Sequence, residues 1–152
     1  MIARAPQEMS WRSAHSDSTL QGTIYTLFRN MRHVWHIRAY TELRVQINSS
    51  RFRVPDVTVL SASAPKEQIV RHPPLLCIEI LSPEDTILRM KDRIQDYISL
   101  GVAQVWLFAP NTRTATICDG RTMVDVTTGS LTLPGTPITL SLAEVFRALD
   151  ED

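Results

Sequence analysis

The period of hydrophobic and polar positions changes several times along the chain, and each change predicts an element. From about Asp17, apolar residues recur at helical spacing and predict a first amphipathic helix, and these residues are Leu20, Ile24, Leu27 and Phe28. Over residues 40–47, apolar side chains instead alternate with polar ones, as on a half-buried strand. The chain is therefore expected to begin with a helix and then a strand.

A second β-rich run covers residues 52–60. Pro55 interrupts it, because proline cannot donate a hydrogen bond within a central strand. Residues 61–74 contain Ser, Ala, Lys, Glu and three prolines, which predicts a surface loop. Residues 75–81 are then almost continuously apolar, a pattern typical of a central strand that is covered on both faces.

A helix is predicted directly after this central strand, from about residue 83 to residue 100. Ser82 offers a hydroxyl N-cap, and Pro83 suits the first helical position. Acidic residues follow in the first turn, where the helix dipole favours negative charge. Gly101 is expected to end the helix.

The last third of the chain predicts more strands and a short helix. A hairpin is expected from residues 102–108 and 114–118 around Pro110. Ser141 with Glu144 is typical of a capping box that opens a C-terminal helix. The order of elements predicts an α/β fold with a central mixed sheet flanked by helices. We expect one domain over residues 1–152.

Composition adds little to the functional picture. Of the 152 residues, 43% are hydrophobic, and the 16 basic residues balance the 16 acidic ones, so no basic excess indicates nucleic acid. Cys77 and Cys118 have no metal or redox spacing and are expected to be reduced packing residues. Without a signal core or a membrane-length apolar stretch, we expect a cytoplasmic protein with no membrane partner. Positive charges crowd the first third and leave a basic face as a hypothesis: Arg29, Arg32, His33, Arg38, Arg44, Arg51 and Arg53.

Two acidic residues stand in apolar, strand-like surroundings. Glu79 lies inside the apolar run 75–81, where an ionisable side chain is costly to bury without a metal, an arginine or a proton. Asp56 follows Pro55 and precedes a second apolar run. Two carboxylates on adjacent strands can hold one hard divalent cation, which is the arrangement used for phosphodiester hydrolysis. A lysine or arginine is then expected nearby.

Three segments resemble the Uma-two family within the PD-(D/E)XK nuclease superfamily. They are R-V-P-D-V-T-V-L at 53–60, P-P-L-L-C-I-E-I-L-S-P at 73–83 and D-Y-I-S-L-G-V-A-Q-V-W-L at 96–107. The resemblance implies a restriction-endonuclease-like core. It also implies Mg²⁺ (or Mn²⁺) ligands at Asp56 and Glu79, with the carbonyl of Ile80 as a third contact and Glu42 near the metal's waters.

The resemblance places the site's cation on the helix after the central strand. The superfamily lysine would stand at Leu81, whereas the Uma-two pattern matches Arg93, one turn before Tyr97. At about 100° per residue, Lys91 lies roughly 70° to one side of the apolar stripe and Arg93 roughly 90° to the other. Either residue could complete the site. Tyr97 itself follows a core-facing pattern, which predicts packing.

The sequence therefore predicts a magnesium-dependent endonuclease that hydrolyses DNA phosphodiester bonds. DNA is the expected partner. A homodimer is also expected, by analogy with nucleases that cut both strands. Arginine stays protonated and cannot act as a general base. The alternative is accordingly a catalytically weak or inactive nuclease-like protein that binds nucleic acid or a protein partner.

Overall fold

The computed structural model describes residues 6–151, and for residues 6–13 and 87 it describes the backbone alone. The helices are α1 (Pro6–Asn30), α2 (Arg32–Trp35), α3 (Ile87–Leu100) and α4 (Leu142–Arg147), and a 3₁₀ turn (Ala148–Asp150) follows α4. The strands are β1 (Ile37–Thr41), β2 (Val45–Asn48), β3 (Arg51–Arg53), β4 (Val57–Ser61), β5 (Leu76–Ile80), β6 (Gln104–Ala109), β7 (Thr114–Cys118), β8 (Met123–Val126), β9 (Ser130–Thr132) and β10 (Thr139–Ser141).

Six strands form one mixed sheet in the order β1-β4-β5-β6-β7-β8. Only the β5–β6 pair in this sheet is parallel, since α3 provides the crossover between these strands. The remaining strands pair as β2–β3 and β9–β10. The predicted α/β fold with a central mixed sheet flanked by helices is confirmed.

Helices cover both faces of the sheet, which explains the continuous apolar run of β5. On one face, Leu76 and Ile78 of β5 join a core that includes side chains of α1 and α4. On the other face, Cys77 joins a second core with residues of α3. Cys77 and Cys118 are both buried free thiols, as expected. All five residues of β5 are buried, and the prediction of a central strand is confirmed.

Helix α3 begins later than the sequence predicts. Thr86 is its N-cap, with its hydroxyl accepting a hydrogen bond from the amide of Arg89 at 3.2 Å. Ser82 instead belongs to a turn, because its amide and its hydroxyl both donate to the Asp85 carboxylate. The predicted cap at Ser82 is therefore wrong by about one helical turn. The end at Gly101 is confirmed, with a positive φ of 113° that glycine adopts without strain.

The predicted strand over residues 40–47 is two strands. β1 ends at Thr41, Glu42 has a φ of 55°, and β2 starts at Val45 in a different sheet. The backbone turn at Glu42 lets β2 and β3 form a separate hairpin that packs on α3. α1 also starts earlier than the apolar pattern indicates, at Pro6.

The C-terminal predictions are confirmed. β6 and β7 pair as an antiparallel hairpin, and the hydroxyl of Ser141 caps α4 by accepting from the amide of Glu144 at 3.3 Å. Among the helices that the structure describes, none has the length and apolar character needed to cross a bilayer.

Candidate active site

Strand pairing brings the two predicted acids together. β4 runs antiparallel to β5 with Val57 opposite Ile78, so the start of β4 lies beside the end of β5. Continuing this register by one residue puts Asp56 opposite Glu79. The Oδ2 atom of Asp56 accepts a hydrogen bond of 2.7 Å from the amide of Ile80, which fixes the carboxylate at the end of the central strand.

The two acids border a cleft of about 260 Å³. Its wall contains residues from α1, the start of β4, the end of β5, the turn before α3, and α3 itself. Four of these lining residues are carboxylic acids, namely Asp17, Asp56, Glu79 and Asp85. Arg93 is the one basic side chain among the described residues that line the cleft. The cleft therefore carries an excess of negative charge.

Glu79 is the most buried acid of the cleft, with a side chain that is 2% exposed. Its Oε1 accepts a hydrogen bond of 2.6 Å from the hydroxyl of Tyr97, and its Oε2 lies 3.2 Å from Nη1 of Arg93. Burial, followed by the negative charge of Asp56, raises the pKa of Glu79 to about 7 despite these two partners. Burial also raises the pKa of Tyr97, so its hydroxyl remains a donor.

Two other cleft acids, Asp56 and Asp17, also have raised pKa values. Burial raises the pKa of Asp56, and the hydrogen bond from Ile80 only partly opposes this change. Burial and the charge of Asp56 raise the pKa of Asp17 on α1 to about 6. These three carboxyl groups are each easier to protonate than in water, chiefly because burial disfavours their charged form and secondly because negative charges lie close together.

Arg93 and Lys91 lie in different surroundings. Arg93 reaches Glu79, whereas Lys91 is exposed and borders a separate groove of about 370 Å³ next to Met90 and Leu107. Burial lowers the pKa of Arg93, but the charge and hydrogen bond of Glu79, together with smaller effects of Tyr97 and Asp85, outweigh burial, so the pKa is raised overall. Leu81, at the nominal lysine position, packs against the core beneath α3. The structure thus brings Arg93, and not Lys91, to the acid pair.

Glu42 lies beside the cleft and is not among the residues that line it. Its Oε1 accepts a hydrogen bond of 2.8 Å from the side-chain amide of Gln21. The same amide donates to the backbone carbonyl of Asp56 at 3.0 Å. Glu42 is thus joined to Asp56 through Gln21, and it occupies the break between β1 and β2 and not the predicted strand.

The sequence pattern of a known family covers most of the chain. Residues 6–144 match Uma2, described as "Putative restriction endonuclease". The chain belongs to the Uma2 family. No curated protein matches the sequence of this Uma2 chain.

A solved structure shares the fold of this Uma2 chain. It is described as the crystal structure of a putative nuclease belonging to DUF820 from Anabaena variabilis ATCC 29413. The TM-score is 0.75 at 22% sequence identity, over 88% of this chain and 82% of that one. The likeness shows a shared arrangement of the sheet and helices.

Local sequence patterns do not indicate three residues that line the Uma2 cleft. Asp17 and Gln21 lie on a helix that is far from the acid pair in sequence, and Asp85 sits in the turn that replaces the predicted start of α3. Tyr97 is fully buried, as its pattern predicts, but its hydroxyl also contacts Glu79. Its position one helical turn after Arg93 is the signal that could have indicated this second role.

The donor atoms of the cleft suit a hard cation. Among the described residues, no group of three or more His, Cys, Asp or Glu side chains is arranged to hold a metal ion. Mg²⁺ commonly uses one or two carboxylates and takes its other ligands from water and substrate phosphate. Asp56 and Glu79 meet that requirement, and each carboxylate can accept more bonds than the described hydrogen bonds occupy. The surplus negative charge of the cleft favours a cation there.

Proposed function

We propose that this protein is a divalent-metal-dependent endonuclease that hydrolyses DNA phosphodiester bonds at the cleft. The observation that carries the proposal is the pairing of Asp56 with Glu79 at the ends of adjacent strands, beside Arg93. Membership of the Uma2 family supports the same reaction class. Two such sites can cut both strands of a duplex in one encounter, so we propose that two copies of the chain act together.

In this proposal, Asp56 and Glu79 hold Mg²⁺ or Mn²⁺, with the Ile80 carbonyl as a further ligand. When bound, the cation neutralises charge on the phosphate and lowers the pKa of a water. The amide of Ile80 keeps the Asp56 carboxylate in place, and Tyr97 does the same for Glu79. Both acids are thereby oriented before substrate binds.

Arg93 is assigned to the scissile phosphate. Its guanidinium has five donors, and the described contact with Glu79 uses one nitrogen, so other donors remain for phosphate oxygens. Since Arg93 stays protonated, it stabilises negative charge but does not accept a proton. The proton of the attacking water must go to solvent or to a cleft acid.

Cleavage of supercoiled plasmid in the presence of Mg²⁺ or Mn²⁺ tests the proposal. We expect nicked and linear products from the wild-type chain, and a loss of about 100-fold or more for D56N or E79Q, because changing even a group that only supports a metal ligand costs about 10- to 100-fold. E144Q, which makes the same change at an exposed position on α4, should cleave normally. Activity that persists in both D56N and E79Q would refute the assignment.

A second candidate function is a nuclease-like protein that binds without cutting. The observation that favours it is the ion pair between Arg93 and Glu79, because this arginine partly neutralises the acid and cannot serve as a base. R93K discriminates between the two functions. Gain of cleavage in R93K would indicate a weakened enzyme. If calorimetry detects no binding of Mg²⁺ or Mn²⁺, the chain is instead a protein that binds without cutting.

A further inference from the structure

The β2–β3 hairpin carries a concentration of positive charge beside the cleft. Residues 44–54 contain three arginines, Arg44, Arg51 and Arg53, and no acidic residue. The hairpin lies outside the six-stranded sheet and packs on α3. None of these arginines lines the cleft of the acid pair, so the charge requires another explanation.

Two of these arginines are held by one acid of α3. Nη1 of Arg51 lies 3.0 Å from Asp96 Oδ1, and Nε of Arg53 lies 2.8 Å from Asp96 Oδ2. The Asp96 side chain is 12% exposed, whereas the Arg51 side chain is 56% exposed. One negative charge therefore orients two guanidinium groups and leaves a net positive charge at the surface. Each guanidinium keeps further N–H donors for an anionic partner.

Arg44 is oriented by an aromatic ring. Its guanidinium carbon lies 4.5 Å from the centre of the Phe52 ring, within the range of a cation–π contact. Arg44 is exposed, and Phe52 is 37% exposed. The contact holds a positive group at the surface without neutralising its charge.

The hairpin is close to the proposed catalytic acids. Arg53 is three residues before Asp56, so their Cα atoms are at most about 11 Å apart even in an extended chain. On α3, Asp96 is three residues after Arg93, an axial separation of about 4.5 Å. A nucleic acid strand with a phosphate at the cleft would therefore place neighbouring phosphates near the hairpin.

We propose that the β2–β3 hairpin binds the phosphate backbone of duplex DNA next to the cleft, through Arg44, Arg51 and Arg53. This inference rests on the proposed function for the choice of DNA as partner. The arginines neutralise phosphates that flank the cut site, and Asp96 and Phe52 act as positioning residues for them. The contact is to backbone charge, so it carries affinity and does not select a base sequence.

Fluorescence anisotropy with a fluorescein-labelled duplex of about 30 base pairs, titrated from about 50 to about 300 mM NaCl, tests the hairpin. The parent protein is the full chain carrying D56N and E79Q, which cannot cut and has lost the acidic charge of the pair. Adding R44A and R51A should weaken binding by about tenfold for each arginine. The slope of log affinity against log salt should become shallower by about two.

Two variants serve as controls. R147A removes an exposed arginine from α4, on the opposite face of the sheet, and should bind as the parent does. R44K with R51K keeps both charges and should restore the parent's salt slope.

R51A leaves Arg53 on Asp96, so the buried acid keeps a partner and the fold is expected to persist. R44Q alone, at an exposed position, should reduce the slope by about one.

Three results would overturn the inference. They are unchanged affinity and slope in the R44A and R51A variant, an equal loss in R147A, and no duplex binding by the parent at about 50 mM NaCl. Plasmid cleavage by chains that retain Asp56 and Glu79 separates this inference from the proposed function. Hairpin-dependent binding without any cleavage would refute the nuclease and keep the hairpin. Normal cleavage by the R44A and R51A variant would refute the role of the hairpin and leave the proposed nuclease activity standing.

Discussion

Replacing Glu79 with glutamine isolates the cost of holding a charged carboxylate in the cleft. The Glu79 side chain is 2% exposed, and burial together with the charge of Asp56 raises its pKa from 4.5 to about 7. Glutamine keeps the shape of the side chain and an acceptor oxygen for Tyr97, but it cannot ionise. The metal-free E79Q and wild-type proteins therefore differ mainly in one protonation equilibrium.

Between pH 4.5 and about pH 7, the unfolded wild-type chain ionises Glu79 while the folded chain keeps it protonated. The stability of the folded protein therefore falls as the pH rises through this window, and the loss is complete above it. A pKa change from 4.5 to about 7 corresponds to about 3 kcal/mol of unfolding free energy. Since the substituted glutamine does not titrate, E79Q avoids this loss.

Urea unfolding followed by tryptophan fluorescence in EDTA measures the effect. From about pH 5 to about pH 8, we expect the unfolding free energy of E79Q to increase relative to wild type by about 2 to 3 kcal/mol. E144Q is the matched control at an exposed position, and its difference from wild type should stay within about 0.5 kcal/mol. A difference between E79Q and wild type that is independent of pH, or that reverses, would refute the electrostatic account of the cleft.

Addition of Mg²⁺ extends the same measurement to the proposed metal. At about pH 8 and at a concentration about 100 times its dissociation constant, a ligand of the folded state stabilises by about 2.7 kcal/mol. We expect the wild-type protein to gain this stability and E79Q to gain little of it. Equal stabilisation of the two proteins by Mg²⁺ would place the metal elsewhere.

Three further substitutions test individual contacts through urea unfolding. Tyr97→Phe removes the short hydrogen bond to the buried Glu79. It should lower the unfolding free energy by about 2 kcal/mol at about pH 8 and by about half as much at about pH 5, since the bond is stronger to an ionised acceptor. An equal loss at both pH values would contradict this. Asp96→Asn weakens the ion pairs with Arg51 and Arg53 and should lower the unfolding free energy by about 1 to 3 kcal/mol. Asp92→Asn, at an exposed site on the same helix, should leave the unfolding free energy unchanged. Equal effects of the two substitutions would argue against the ion pairs. Gly101→Ala should lower the unfolding free energy by at least about 1 kcal/mol, because φ is 113° and the added Cβ would lie 2.9 Å from a ring carbon of Pro73. Gly22→Ala adds a Cβ in open space within α1 and should instead raise the unfolding free energy by about 0.5 to 1 kcal/mol.

Local patterns in the sequence determined the central features of the fold. The apolar run of β5 indicated a strand covered on both faces, and the burial of all its residues confirms this. Gly101 marked the end of α3, and Ser141 marked the start of α4. The sequence alone drew attention to Glu79, because an acid in such a run is costly to bury. These features depend on residues that are near one another in the chain.

Tertiary packing decided which side chains meet at the cleft. Helical periodicity gives the angle between Lys91 and Arg93, but only the docking of α3 on β5 and β6 determines that Arg93 faces Glu79. The turn at Glu42, which sends β2 and β3 out of the main sheet, likewise depends on contacts remote in sequence.

The acid pair shows the same division. The sequence determined that Asp56 and Glu79 each follow an unusual local pattern, whereas the antiparallel register of β4 and β5 decided that they are neighbours. Asp17 and Gln21 joined them because α1 packs across the same strands. Local sequence determines which faces are apolar, and the packing of those faces decides which polar groups converge.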